Sequence, residues 1–329
     1  MPHIILIKSY TNKPWRSPET FHLIEQALQK RWDVEPIEAE SLQQLDDFIS
    51  AIKRRYGDDL FIFNISEYID ERTMHGFLPE YLEKSGSMYL GSGALAVTTG
   101  LAKAETKKVL VRNNIPTPNF LLIPNGDDEI TLEDSTLRYP LFVKPDGTGG
   151  HIGIDSDSIA NNEAELLKAI RRVHTVFGQN ALVEEFITGE NMREFSVGIL
   201  DGAKRIFLPV EIDYASMNAP VQILSHDLAM QDQEKVIPVT DKKLFAKLAD
   251  LAERTFLALG AHDYSRVDIR MNEHDCYVLE INVMPGIGPA SFLPEAAKFY
   301  LDIKYEDLVN KLVEVSLERQ TSTAPKLKA

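Results

Sequence analysis

The sequence predicts an α/β chain that becomes α+β in its C-terminal part, and three features carry that expectation. A strand-like apolar run at residues 3–8 is followed at once by a capped helical stretch. A second buried-strand run, residues 60–65, again precedes a helix that closes at Gly86. From Ala181 onward strands dominate, ending in two alternating runs, residues 264–271 and 276–283, that form a hairpin. Alternation of strand and helix implies a small, mostly parallel sheet, whereas hairpin-linked strands imply an antiparallel one.

Local chemistry fixes the elements in order. Ser17-Pro18-Glu19 opens the first helix with a cap, a proline in the first turn and an acid near the positive end. Phe21, Ile24, Leu28 and Trp32 form its apolar stripe. Residues 78–84 read as a helix, followed by the turn Gly91-Ser-Gly93. A single helical pattern over residues 94–113 stops before Ile115-Pro-Thr-Pro118. A strand at 139–144 meets the glycine-rich loop 145–153, and a helix follows over 163–177. Strands are expected at 181–187, 194–200 and 205–212, a long amphipathic helix at 242–259, and another helix near Pro294. This gives an N-terminal α/β unit at 1–93, a central unit at 94–187, a C-terminal unit at 188–316 and a disordered tail at 317–329.

Composition limits the functional classes. Thirty-five basic against 50 acidic side chains leave a net charge of -15, which repels nucleic acid and anionic membrane alike. No apolar run reaches membrane-spanning length, and the N-terminus lacks a cleavable signal layout. The single cysteine, Cys276, permits no intrachain disulfide, so a reducing, cytoplasmic setting is expected.

The hairpin carries the sharpest chemical signal. A turn centred on His274 places Asp268 opposite Glu280 and Arg266 opposite Asn282, with Val267, Ile269, Leu279 and Ile281 on the other face. Facing carboxylates repel by roughly 0.2–1 kcal/mol on the scale of cross-strand pairs. A hard dication between them reverses that sign, and Asp268, Glu280 and the Asn282 amide oxygen make a partial oxygen shell of the kind magnesium takes. A solvated polar face is the competing reading.

Gly147, Gly149, Gly150 and Gly153 follow a strand that ends in Lys144. Glycines let backbone N–H groups close on phosphate oxygens, and lysine adds a mobile charge. The loop is neither a P-loop nor a dinucleotide fingerprint, and taken alone it also fits an ordinary turn. Lys103, likewise, fits a solvated helix position. In residues 181–187, alternation sends Glu184 and Glu185 to opposite faces, and Glu184, Glu185, Phe186 and Ile187 suit either an adenine-lining strand or an edge strand with one exposed acid. Glu194 is equally open.

Taken together, the motifs resemble the ATP-grasp superfamily, and within it the D-alanine–D-alanine ligases and related carboxylate–amine ligases. The likeness runs through Asn64-Ile-Ser-Glu67, Tyr89 to Gly93, Lys103-Ala-Glu-Thr-Lys107, Ile115-Pro-Thr-Pro118 and Val143-Lys-Pro145, and is most specific at Arg266-Val-Asp268 and Glu280-Ile-Asn-Val-Met-Pro-Gly286, then Ser291 and Pro294. The resemblance implies two subdomains that clamp ATP. It implies Lys103, Lys144, Gly149 and Gly150 on the phosphates, Glu184 to Ile187 on the adenine, and Glu194 on the ribose. Two magnesium ions, or manganese in their place, would sit on Asp268, Glu280 and Asn282. Arg266 and the Gly286 N–H would stabilise an oxyanion, Ser291 would hold the second substrate's carboxylate, and residues 213–229 would supply a lid. It further implies amino-acid-like carboxylate and amine substrates and a homodimer.

The chain departs from the family where the first substrate binds. In place of a glycine pair, a serine and an amine-binding glutamate it has the stretch Ser9 to Glu19, with Glu19 as the stand-in. Gly150 and His151 replace two serines, and Met217 and Asn218 replace the lid lysine and tyrosine. The expectation is therefore a ligase whose first substrate differs from D-alanine. The alternatives are an authentic D-alanine–D-alanine ligase and a non-catalytic ATP-binding regulatory protein.

Overall fold

A computed structural model describes residues 1–127, 135–217, 221–231 and 234–322. Its N-terminal unit is built on β1 (His3–Ile7), whose five residues are all buried, followed by α1 (Pro18–Gln29), β2 (Val34–Ile37), α2 (Leu42–Tyr56) and β3 (Leu60–Phe63). A small hairpin, β4 (Tyr68–Asp70) with β5 (His75–Phe77), then leads to α3 (Leu78–Ser85) and β6 (Met88–Tyr89). The sheet order is β2-β1-β3-β6 with every pair parallel. Ser17 caps α1, its Oγ accepting the Thr20 N–H at 3.2 Å, and Phe21, Ile24 and Leu28 point into the core.

The central unit begins with two helices where one was expected: α4 (Ala94–Leu101) and α5 (Lys103–Arg112). The break is at Ala102, because the first N–H groups of α5 turn to Asp146. Lys103 N–H reaches its carbonyl at 3.2 Å and Ala104 N–H its carboxylate at 2.7 Å. This break seats Lys103 on the glycine-rich loop. β7 (Phe120–Ile123), β8 (Leu141–Pro145), β9 (Ile159–Ala160), α6 (Glu163–Arg172) and β10 (Ala181–Glu185) complete the unit. A wide helical turn carries α6 on through Phe177. The antiparallel order β7-β10-β8-β9 places β10 inside the sheet and removes the edge-strand reading.

The C-terminal unit contains β11 (Arg193–Asp201), β12 (Arg205–Ile212), α7 (Tyr214–Met217), α8 (His226–Met230), β13 (Val236–Pro238) and α9 (Lys242–Ala258). After these come β14 (Tyr264–Met271), β15 (Cys276–Asn282), α10 (Phe292–Leu301) and α11 (Tyr305–Ser322). Its sheet, β13-β12-β11-β14-β15, is antiparallel throughout. Leu317 to Ser322, expected as the start of a disordered tail, are instead the last turns of α11; residues 323–329 lie outside the described residues. Helix α11 returns to α1, and Leu308, Leu312 and Val313 share one core with Phe21, Leu28 and Phe61. Asp263, fully buried, ties this junction: it accepts the Gly91 N–H at 2.7 Å, the Ser316 hydroxyl at 2.6 Å and Arg319 Nε at 2.6 Å. Among the described residues no helix is long and apolar enough to cross a membrane.

Candidate active site

The hairpin register matches the sequence reading at its inner end, with Asp268 opposite Glu280 and Arg266 opposite Asn282. A bulge between Asp268 and Ile269 then pairs Ile269 with Val278. As a result Val278 joins the core, and Leu279, expected there, lines the cleft beside Glu280. Asp268 accepts two charge-assisted bonds from Arg266, Nε to Oδ1 at 2.9 Å and Nη2 to Oδ2 at 2.8 Å, and one from Ser196 Oγ at 2.6 Å. Burial opposes ionisation of Glu280, but Lys103, Lys144, His151 and Arg266 hold its carboxyl down to about 2.

The lysines converge on the same cleft from other elements. Lys103 donates to the Thr148 carbonyl at 2.7 Å, and its Nζ stands 3.9 Å from Glu280 Oε2. Lys144 Nζ lies 2.6 Å from Glu184 Oε1, and Lys107 Nζ 2.6 Å from Oε2. Glu184, expected to face adenine, thus also clamps two buried lysines. Lys107, which the sequence reading passed over, sits one turn beyond Lys103 and also donates to Thr117 Oγ1 at 2.8 Å. His151 adopts a left-handed φ of 57° beside Gly150, and burial lowers its imidazole to about 4, so it is neutral at pH 7.

The cleft wall runs through Glu184, Glu185, Phe186 and Ile187 and is closed by Ile223 and Leu224. Glu185 turns outward, accepting from Asn119 Nδ2 and the Arg138 N–H, both at 3.0 Å. Its own N–H and that of Phe186 are taken by the carbonyls of Asn119 and Pro140. Of the backbone N–H groups at 185–187, two are thus already engaged within the protein. Glu194 lies in the cleft at 7% exposure, bonded to Tyr214 at 3.0 Å and Arg270 at 3.1 Å. Arg270 was also missed, although alternation from Arg266 and Asp268 puts it on their face. Its guanidinium covers the Phe186 ring at 4.3 Å and donates to the Gln222 carbonyl at 2.8 Å, tying the segment after β10 to the one around Gln222. Further on, His226 donates from its backbone to Ile154 O at 3.2 Å and from Nδ1 to Gly150 O at 3.1 Å, joining this segment to the glycine-rich loop. Met217 ends α7, and Asn218 lies outside the described residues.

The N-terminal loop reaches the site through Trp15, not Glu19. Glu19 is exposed on the first turn of α1, where its own N–H and Ser17 hold its carboxyl below the usual range. Arg16 is buried between Glu67 and Glu71, each at 2.5 Å. Gly286 and Gly288 lie against Trp15, and Ser291 starts α10 with its hydroxyl unused as a cap.

The Arg16 cluster carries a pH signature. Burial pushes Glu71 up to about 7, Arg16 opposing and Glu67 adding, while Arg16 holds Glu67 low against its own burial. A carboxyl raised in the folded state stabilises most below its ordinary value near 4.5, and that contribution is lost as pH rises through about 7. Urea unfolding at pH 5 and pH 8 should therefore show Glu71→Gln gaining on the wild type by on the order of 1–3 kcal/mol at the higher pH. A constant difference across that range would refute the assignment.

Comparison with known proteins places this site in context. A family model described as "D-ala D-ala ligase C-terminus" matches residues 109–314. The D-alanine–D-alanine ligase of Carboxydothermus hydrogenoformans is 31% identical over 289 residues, covering 85% of each chain. The chain belongs to the D-alanine–D-alanine ligase family. It is accordingly an ATP-dependent ligase with the ATP-grasp fold, a family that forms an amide bond and releases ADP. A Sinorhizobium fredii protein named only as uncharacterized, y4sG, is 32% identical over 262 residues, covering 78% of this chain and 75% of its own. In fold, the ATP-complexed D-alanine–D-alanine ligase of Bacillus anthracis superimposes with a TM-score of 0.76 at 22% identity, over 98% of this chain and 99% of that one.

Proposed function

We propose that this ligase activates a carboxylate as its acyl phosphate and joins it to an amine, and that its carboxylate substrate is other than D-alanine. The observation that carries the chemistry is the convergence of Arg266, Asp268, Glu280 and Asn282 with Lys103 and Lys144 on one cleft. Lys103, Lys144 and the glycine loop would hold the phosphates, and Ile187 and Glu194 the nucleoside. Among the described residues no three His, Cys, Asp or Glu side chains form a ready metal cage. The two carboxylates and one amide fit an ion that takes its remaining ligands from phosphate oxygens. Asn282 Nδ2 now faces Asp268 Oδ2 at 3.1 Å, so its amide must turn to present Oδ1. Magnesium bound there would neutralise charge on the transferred phosphoryl group.

The protein's own groups supply the rest. Arg266, held by Asp268 and stacked over Phe292 at 5.0 Å, and the Gly286 N–H would face the oxyanion formed when the amine adds. The segment that His226 fastens to Gly150 would keep water from the acyl phosphate. The substrate argument rests on the N-terminal loop, where an indole and a buried arginine occupy the stretch in which the family motif carries serine and glutamate. The test is phosphate release from ATP and magnesium with amino acids singly and in pairs. Release that requires a particular pair supports ligation and names the substrates. Preference for two D-alanines would overturn the substrate claim, and release with no pair would overturn ligation.

A further inference from the structure

Trp15, one of two tryptophans in the chain, lies across three glycines from two separate loops. A Cβ on Gly286 would meet its Cγ at 2.7 Å, and one on Gly288 its Cα at 2.9 Å. At the far end of the ring, a Cβ on Gly150 would meet Cζ2 at 3.4 Å and Cη2 at 3.6 Å. The long axis of the indole therefore spans the gap between the phosphate-loop glycine and the oxyanion glycine.

The ring is held there from both sides. Arg16 is buried at 4% exposure between Glu67 and Glu71. The Thr11 N–H donates to the Arg16 carbonyl at 3.1 Å, and Thr20 Oγ1 to the Pro14 carbonyl at 2.7 Å. A loop fastened at both neighbours presents its indole as a fixed wall. In any acyl transfer run from this cleft, the reacting carboxylate carbon must lie between the phosphate loop and the oxyanion donor. A substituent on that acid that points toward the N-terminal loop would then meet Trp15.

We propose that Trp15 is a specificity-determining residue, the wall of the carboxylate-substrate pocket that restricts the acid to a small side chain. This rests on the ligase reading above and adds the class of acid: small α-substituted carboxylates, with branched and aromatic ones refused. A pocket wall discriminates by the volume it withholds, and an added methylene or two is worth about 10–200-fold in kcat/KM.

The test compares wild type, Trp15→Phe and Trp15→Ala in ATP-dependent phosphate release, with saturating D-alanine as the amine. The acids are glycine and the D and L forms of alanine, valine and phenylalanine. The ratio of kcat/KM for valine or phenylalanine to that for alanine should rise by about tenfold or more in Trp15→Ala, with Trp15→Phe between. A purely structural role would lower every acid together and leave the ratio unchanged, and that result in both variants overturns the proposal. Should Trp15→Ala fail to fold, Trp15→Phe and a binding measurement still decide it. In a Trp32→Phe background, whose indole otherwise bonds Asn310 at 2.8 Å, Trp15 is the sole indole and can be excited selectively over the tyrosines. Its fluorescence should shift when an acid that is turned over is added to protein with a non-hydrolysable ATP analogue and magnesium. No shift with such an acid overturns the proposal. A wild type that releases phosphate with no pair overturns the ligase reading and this inference with it.

Discussion

Glu280→Gln is expected to lower turnover by roughly a thousandfold, equivalent to about 4 kcal/mol of lost transition-state stabilisation. Glutamine keeps the shape of the side chain and removes the charge that would hold magnesium against the phosphates. The same change costs the ligand-free fold something, because three groups that are cationic at neutral pH, Lys103, Lys144 and Arg266, converge on this carboxylate. Its depressed value of about 2 means that Glu280 stabilises above its ordinary range near 4.5 and loses that effect as pH falls toward 2. At 24% exposure the contribution is on the order of 1–2 kcal/mol after screening. Two measurements separate the roles: turnover across a magnesium titration at pH 7, and urea unfolding of the ligand-free protein. An active variant with an unaltered magnesium dependence would sink the metal assignment.

The hairpin was legible because its two strands alternate and their pairing follows from a short turn. What the alternation could not show is the bulge, since one unpaired residue leaves no mark on composition. It alone moved Leu279 from the core to the cleft. Arg270 could have been found, for it continues the period-two series of Arg266 and Asp268. Lys107 is a different case. Its spacing from Lys103 puts both on one helix face, but its complete burial depends on Glu184 arriving from a strand distant in sequence. Trp15 likewise touches Gly150, Gly286 and Gly288 only through the tertiary fold. Local sequence thus showed which side chains share a strand. It did not show which loops close on one another, and the proposed substrate selection depends on those loops.

Glu184→Leu should be the most destabilising change in the cleft, costing about 3–5 kcal/mol. Glu184 is 3% exposed and lies within 2.6 Å of two ammonium groups, with Lys107 fully buried and Lys144 at 4%. Burial opposes its charge, yet Lys107 and Lys144 keep the carboxyl below the ordinary range, so the ion triad persists at neutral pH. Removing the shared anion leaves two buried cations facing each other. Lys107, already lowered by burial, is the one expected to give up its proton. The unfolding temperature should fall by roughly 5–10 °C. The double variant Glu184→Gln with Lys107→Met is the discriminating control. It keeps an acceptor for Lys144 and removes the stranded cation, so it should recover more than half of the loss. Equal destabilisation in the single and double variants would mean that the cost is lost packing, and that the charge triad contributes little to holding Lys144 at the glycine loop.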